Sequence, residues 1–225
     1  MATYAEWSNF IPYVLNEVPG CPRPVAENFI RKFAIRLCEK GLVIRKHASE
    51  INISEDTTEY NLNFTENLYR PVGIVNARYN VTGTQMVAKN ESMMDDQTPN
   101  WRVMTTSTRP VYYWLTIDHK LHVYPTPSED YDDDPIDTEC WVAPVRTADK
   151  IDEFVFDSYA ETIAYGALSE LQIMPETSWH DGDLALRNER KWRQGLRNAR
   201  ADSLRGVDGT QRTEIYPKSF EIFGT

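Results

Sequence analysis

The side chains able to do covalent or metal chemistry are few and scattered. There are four histidines (His47, His119, His122, His180) and three cysteines (Cys21, Cys38, Cys140). Hydrolytic, nucleophilic or zinc chemistry needs such groups at fixed spacings. No HExxH, no paired Cys/His set and no GxSxG occurs. Three distant thiols, odd in number, predict buried free cysteines and not a disulfide framework. No glycine-rich turn precedes a helix to cradle phosphate, and the supply of ten glycines is thin. The sequence therefore predicts no catalytic residue, no cofactor and no metal site.

Three charged stretches still ask for an explanation. Ser128–Asp137 carries six acids and no base. Several oxygens there could hold a hard cation, but the Asp-x-Asp-x-Asp-Gly order and the distal Glu of a calcium loop are missing, so a solvated loop is expected. His180-Asp181 beside Asp183 could be written as an acid–base pair. The simpler reading is a turn that places Asp183 at a helix N-terminus, where the dipole favours a carboxylate. The third stretch is Gly182–Arg205, with seven Arg/Lys against three Asp/Glu. Arg190, Arg193, Arg197 and Arg200 form a ridge about 120° from the apolar stripe at 100° per residue. Such a ridge is a solvated face, a DNA-contacting helix, or an interface whose planar guanidinium forks meet carboxylates of another subunit. A net charge of −10 argues against the DNA reading.

These residues need a scaffold, and the hydrophobic periods supply one. Tyr4–Val18 reads as a helix that Pro12 must kink or restart. Pro19 to Pro24 is a turn. Pro24 then starts a helix to about Lys40, with Val25, Phe29, Phe33 and Leu37 as its stripe and Gly41 as its terminator. From Leu42 the period changes to two. Thr58–Phe64 and Val72–Val81 read as strands, Met86–Asn100 as a loop, and Trp101–Thr105 as a short strand. A hairpin follows, Pro110–Ile117 and Lys120–Tyr124 around Asp118-His119, and Thr138–Arg146 is a last strand.

Asp152–Met174 and Leu184–Arg205 are then two helices hinged at Met174-Pro175. The first has Phe156, Tyr159, Ala160, Ile163, Ala167, Leu171 and Met174 on its core side; the second has Ala185, Trp192, Leu196 and Ala199.

The expected architecture is α+β. Residues 1–47 and 148–205 form one helical bundle, 48–147 a β-sheet or sandwich-like insertion, and 206–225 an extended C-terminal arm. The arm has Tyr216, Phe220, Ile222 and Phe223 but no helical stripe. It reads as a segment ordered on a partner, or as one packed back on its own domain. No run of eighteen apolar residues exists to span a membrane. Met1–Phe10 lacks a basic leader and an apolar core, which predicts no signal peptide.

Several phrases, in order, resemble one known family. Tyr13-Val-Leu-Asn-Glu-Val-Pro-Gly-Cys-Pro22, Leu121-His-Val-Tyr-Pro-Thr-Pro127, Asp157-Ser-Tyr-Ala-Glu-Thr-Ile-Ala-Tyr-Gly-Ala-Leu168, Met174-Pro175 with Trp179, and the Arg-rich helix are similar to tailed-bacteriophage head-to-tail adaptors of the tail tubular protein A-like type. The resemblance spans about Tyr13–Arg205. It implies a non-enzymatic virion protein of the neck, assembled in the host cytoplasm. It further implies a homo-oligomeric ring, dodecameric, that binds the portal protein and a tail nozzle or tail-tube protein. Double-stranded DNA would pass through the lumen without sequence-specific binding. Arg190, Arg193, Arg197, Arg200, Tyr216, Phe220, Ile222 and Phe223 are then the candidate portal or neighbour contacts. The alternative is a minor tail or receptor/glycan-binding module, with Tyr112, Trp114, Tyr124 and Trp141 as a ligand surface. Their alternation along strands favours core packing instead.

Overall fold

The computed structural model describes residues 3–64, 67–80, 82–98, 100–102 and 108–205. Its helices are α1 (Ile11–Leu15), α2 (Arg23–Gly41), α3 (Glu91–Gln97), α4 (Glu153–Leu171) and α5 (Gly182–Arg205). N- and C-terminal helices pack together, with β-sheets contributed by the chain between them, so the fold is α+β as the periods predict.

α4 is the hub's central rod. Val155, Ala160, Ile163, Ala164, Gly166, Ala167, Leu168, Ser169 and Leu171 are all buried, because α1, α2 and α5 all pack against it. Small residues permit the close approach. A Cβ at Gly166 would collide with the Phe33 ring, so only glycine fits opposite that phenylalanine. The edge of the same ring meets Trp192 of α5 at 5.0 Å and 87°, the perpendicular geometry that aromatic quadrupoles favour.

α2 differs in detail from its expected stripe. Its buried line is Ala26, Ile30, Phe33, Ala34, Leu37, Cys38 and Gly41, while Val25 and Phe29 are only partly covered. A strict spacing of four drifts about 40° per step on a 3.6-residue helix, so the true seam alternates threes and fours. The helix end also differs. Leu42, at φ 53°, takes the left-handed position expected of Gly41. Gly41 stays in the helix and packs closely: a Cβ there would lie 3.3 Å from Val43 Cγ1, a tight contact, and 3.6 Å from Ala199 of α5, an ordinary one.

The N-terminal segment is not one helix. Tyr4–Glu6 is strand β1, paired antiparallel with β10 (Lys150–Asp152). A 3-10 turn (Trp7–Phe10) follows, and α1 begins with Pro12 in its first turn, where a missing N–H costs nothing. Pro12 restarts the helix. Helical spacing in Tyr4–Val18 is satisfied by this mixture because β10 offers an edge that a lone sequence window cannot foresee.

Strand β9 (Pro135–Pro144) is the centre of the main sheet. β5 (Tyr69–Tyr79) runs along one edge, and β2 (Ile44–His47) and β3 (Ile51–Asn52) follow one another along the other. Buried on both faces from Cys140 to Pro144, β9 carries a continuous apolar run. A second sheet has the order β4 (Glu59–Asn61), β8 (Lys120–Tyr124), β7 (Tyr112–Leu115), β6 (Val87–Ala88). The β7–β8 hairpin is the predicted one, closed by Thr116–His119 with His119 at φ 62°. Tyr60, Leu62 and Phe64 are all buried, as their alternation requires.

Two expectations for the intervening stretch change. Met86–Asn100 contains α3, capped by Asn90, whose side chain accepts a hydrogen bond from Met93 N at 2.8 Å. Trp101 and Arg102 form a turn, and 103–105 lie outside the described residues. Polarity hid α3; its apolar contact is essentially Met94, which is fully buried with Trp101, Trp114 and Tyr124 in a satellite cluster. The main apolar cluster continues from α2 and α4 into both sheets.

Candidate functional site: the outer face of α5

The ridge depends on how firmly α5 is held. Asp181 caps the helix, its Oδ1 accepting from Asp183 N at 3.1 Å and Leu184 N at 3.0 Å. The capping carboxylate is thus Asp181, with Asp183 inside the first turn. Ala185, Asn188, Trp192 and Ala199 are buried and Leu196 is partly so. Asn188 Nδ2 donates to Gln172 Oε1 at 2.9 Å, pinning α5 to the end of α4. A Cβ at Gly195 would come 2.5 Å from Thr162 Cγ2, so the two helices touch at backbone distance there. At the far end Ser203 Oγ donates to Leu42 O at 2.6 Å, and Arg45 reaches Ser203 O at 3.5 Å. Rotation of α5 is fixed at both ends.

With its inner face so fixed, the outer face presents the predicted arginines together. Arg190, Arg193 and Arg197 are exposed and Arg200 is partly exposed. Arg193 pairs with Glu189 at 2.5 Å, one turn away, and Arg197 Nε donates to Arg193 O at 3.2 Å. No acidic partner meets Arg190, Arg197 or Arg200 among the described residues. One exposed i,i+4 pair adds little stability, so the ridge is not needed to hold the fold. The other predicted contacts (Tyr216, Phe220, Ile222 and Phe223) lie outside the described residues.

Sequence reasoning passed over the neighbours of the ridge. On α2, Lys32 and Arg36 both bond Glu170 of α4, the latter at 2.7 Å. Burial raises the Glu170 carboxyl, but hydrogen bonds from Lys32 and Arg36 outweigh it and hold the group below the usual carboxylate range. Ile173 and Leu186 stand exposed nearby. Their signal was available: each is apolar yet off its helix stripe. Asn188 could also have been found, since it falls on the stripe between Ala185 and Trp192.

The other chemistry-bearing groups are built into structure. Cys21, Cys38 and Cys140 are free and buried. Burial pushes the Cys140 thiol up to about 12 and raises Cys38 further, far from the thiolate range. Asp137 of the acidic stretch lies in β9 and takes Arg78 at 2.8 Å and His47 at 3.1 Å. Among the described residues no cluster of His, Cys, Asp or Glu is arranged to hold a metal. Of the four aromatics considered as a ligand surface, Trp114, Tyr124 and Trp141 are buried. They are packing residues.

The family described as SU10 adaptor protein matches residues 3–215. The chain belongs to the SU10 adaptor protein family. This is a family of phage head-to-tail adaptors, so the protein is a structural, non-enzymatic virion component. No curated protein matches the chain. Membership gives the adaptor portal and tail components as its partners and the virion neck as its place. No described helix is long and apolar enough to cross a membrane.

Proposed function

We propose that the adaptor closes into a dodecameric ring between the portal and a tail nozzle or tail-tube protein, and that the α5 ridge is a docking face of that ring. Copies assemble in the host cytoplasm, and DNA passes through the lumen without sequence-specific contact. Arg190, Arg193, Arg197 and Arg200 meet carboxylates on the portal or the neighbouring copy. Tyr216, Phe220, Ile222 and Phe223 add an apolar contact beyond the helix. On this reading 1–47 with 148–205 form the docking body, 48–147 the β insertion and 206–225 the arm.

One observation supports the ridge assignment above the others. In a chain of net charge −10, Arg190, Arg193, Arg197 and Arg200 gather on one face of a firmly held helix, and among the described residues only Arg193 of the four meets a carboxylate. Ring subunits need heterologous faces that repeat until the cycle closes, and arginine forks are suited to specific carboxylate pairing. Native mass measurement of the purified chain with purified portal tests the proposal. A ring with portal is expected, and Arg193→Glu with Arg197→Glu should abolish it while the unfolding midpoint stays put. Unchanged ring formation by that variant retires the ridge as the interface.

A further inference from the structure

Two grooves flank α5 and fix which side of the hub each charged group occupies. One, of about 250 Å³, lies where α2, α4 and α5 meet, with Ile173, Leu186 and Arg193 in its lining. The other, of about 230 Å³, lies between α1, α4 and α5, with Glu17, Glu161 and Lys191 in its lining. Measured from buried Trp192 at 100° per residue, Arg190, Arg193, Arg197 and Arg200 turn about 80–160° toward the first groove. The ridge therefore occupies the α2 flank and leaves the α1 flank clear.

On that α1 flank, α4 carries an acidic stripe. Glu153, Asp157 and Glu161 recur every fourth residue, all three are exposed, and none meets a cation within ion-pair distance among the described residues. The helix dipole accounts for Glu153, which lies in the first turn, but its effect fades before Asp157 and Glu161. Arg187 and Lys191 line the same groove as Glu161 yet leave it unpaired; Lys191 lies over the Tyr165 ring at 4.3 Å instead. Phe154, 43% exposed, stands beside the stripe.

We infer that the ridge takes the acidic stripe of a second copy, Asp157 and Glu161 of one copy meeting Arg200 and Arg197 of the next. The inference rests on the ring reading above and makes the neighbouring copy, not the portal, the partner of the ridge. The two faces are opposite in sign and lie on opposite flanks of one hub, as a head-to-tail cycle requires and a two-fold pair does not. Their heights also match. Asn188 bonds Gln172 and Gly195 backs onto Thr162, so α5 runs antiparallel along α4. Counting on from Gly195, Arg197 stands about level with Glu161 and Arg200 with Asp157. A rotation about an axis along the helix pair then brings the acids of one copy to the arginines of the next without a shift. Leu204, partly buried at the end of the ridge, stands about level with Phe154 and gives the charged pairs an apolar neighbour. Arginine forks on carboxylates fix the orientation, and like charges oppose ridge against ridge.

Native mass measurement of the full chain with purified portal tests the pairing. The wild type run alongside reports on the ring itself, so failure of the ring and failure of the pairing are told apart. Asp157→Arg with Glu161→Arg should lose the ring, and adding Arg197→Glu and Arg200→Glu to the same chain should restore it. Unchanged rings from the stripe variant would overturn the inference and leave the ridge to the portal. So would a fourfold variant that forms none. Crosslinking covers the case of a variant that misfolds. Glu161→Cys chains mixed with Arg197→Cys chains and portal should give covalent dimers with a short bismaleimide, and neither chain alone should; the three native thiols are buried and do not compete. Dimers from the Glu161→Cys chain alone, or none from the mixture, would overturn it too.

Discussion

The helical hub and the satellite end of the second sheet bury apolar surface by opposite means. In the hub, Gly166, Ala160, Ala164 and Ala167 let helices approach until Phe33 fits one slot. In the satellite, Trp101, Trp114 and Tyr124 meet edge to face at 5.3 and 5.8 Å around Met94, with His122 stacked on Trp114 at 4.1 Å. The hub's fit is fixed by backbone approach, so neighbours have nowhere to move. The satellite rests on a few large rings, and two of its polar atoms, Trp114 Nε1 and His122 Nδ1, are buried without a partner among the described residues. A rigid hub suits the docking role proposed for α5, which needs its four arginines in fixed positions. The satellite is the place where local opening should start.

Mutations can break this contrast, beginning with the most damaging. Phe33→Ala should cost about 4 kcal/mol in denaturant unfolding, since it empties the hub's central slot and removes the Trp192 contact. Gly166→Ala should cost about 2 kcal/mol by overpacking, and the two changes together should cost less than their sum because they share one space. Full additivity would mean that Gly166 and Phe33 do not compete for it. Trp101→Ala should cost about 3 kcal/mol at most, expressed as faster amide exchange in α3, β7 and β8 with α4 still protected. Equal acceleration in α4 would show that the two regions open as one.

Acidification separates the regions differently. Burial holds His122 below the ordinary histidine range, so the folded form favours neutral imidazole. Its contribution is complete above that ordinary range and is lost as pH falls through the lowered value. Glu170 is likewise held low, so the α2–α4 clamp persists above the usual carboxylate range and weakens only in more acidic solution. On lowering pH, exchange in β8 should quicken before exchange in α4; His122→Gln should remove the first step and Glu170→Gln the second. Smallest of all in stability is Arg193→Glu with Arg197→Glu, within about 0.5 kcal/mol for exposed groups.

Much of the fold is legible in the chain itself because hydrophobic period, proline and glycine act locally. They give α2, α4, α5, the β7–β8 hairpin, the α+β class and the arginine ridge, since 100° per residue places Arg190, Arg193, Arg197 and Arg200 together wherever the helix packs. The ordered phrases from Tyr13 to Arg205 carry the family as well. What tertiary structure alone decides is pairing across long sequence separations. Tyr4–Glu6 becomes a strand because Lys150–Asp152 lies beside it, and Asn188 is buried because Gln172 meets it. Ile173 and Leu186 become the sides of a groove only when three helices converge. Local sequence sets backbone preference and side-chain spacing; it holds no record of which distant surface will arrive to cover them.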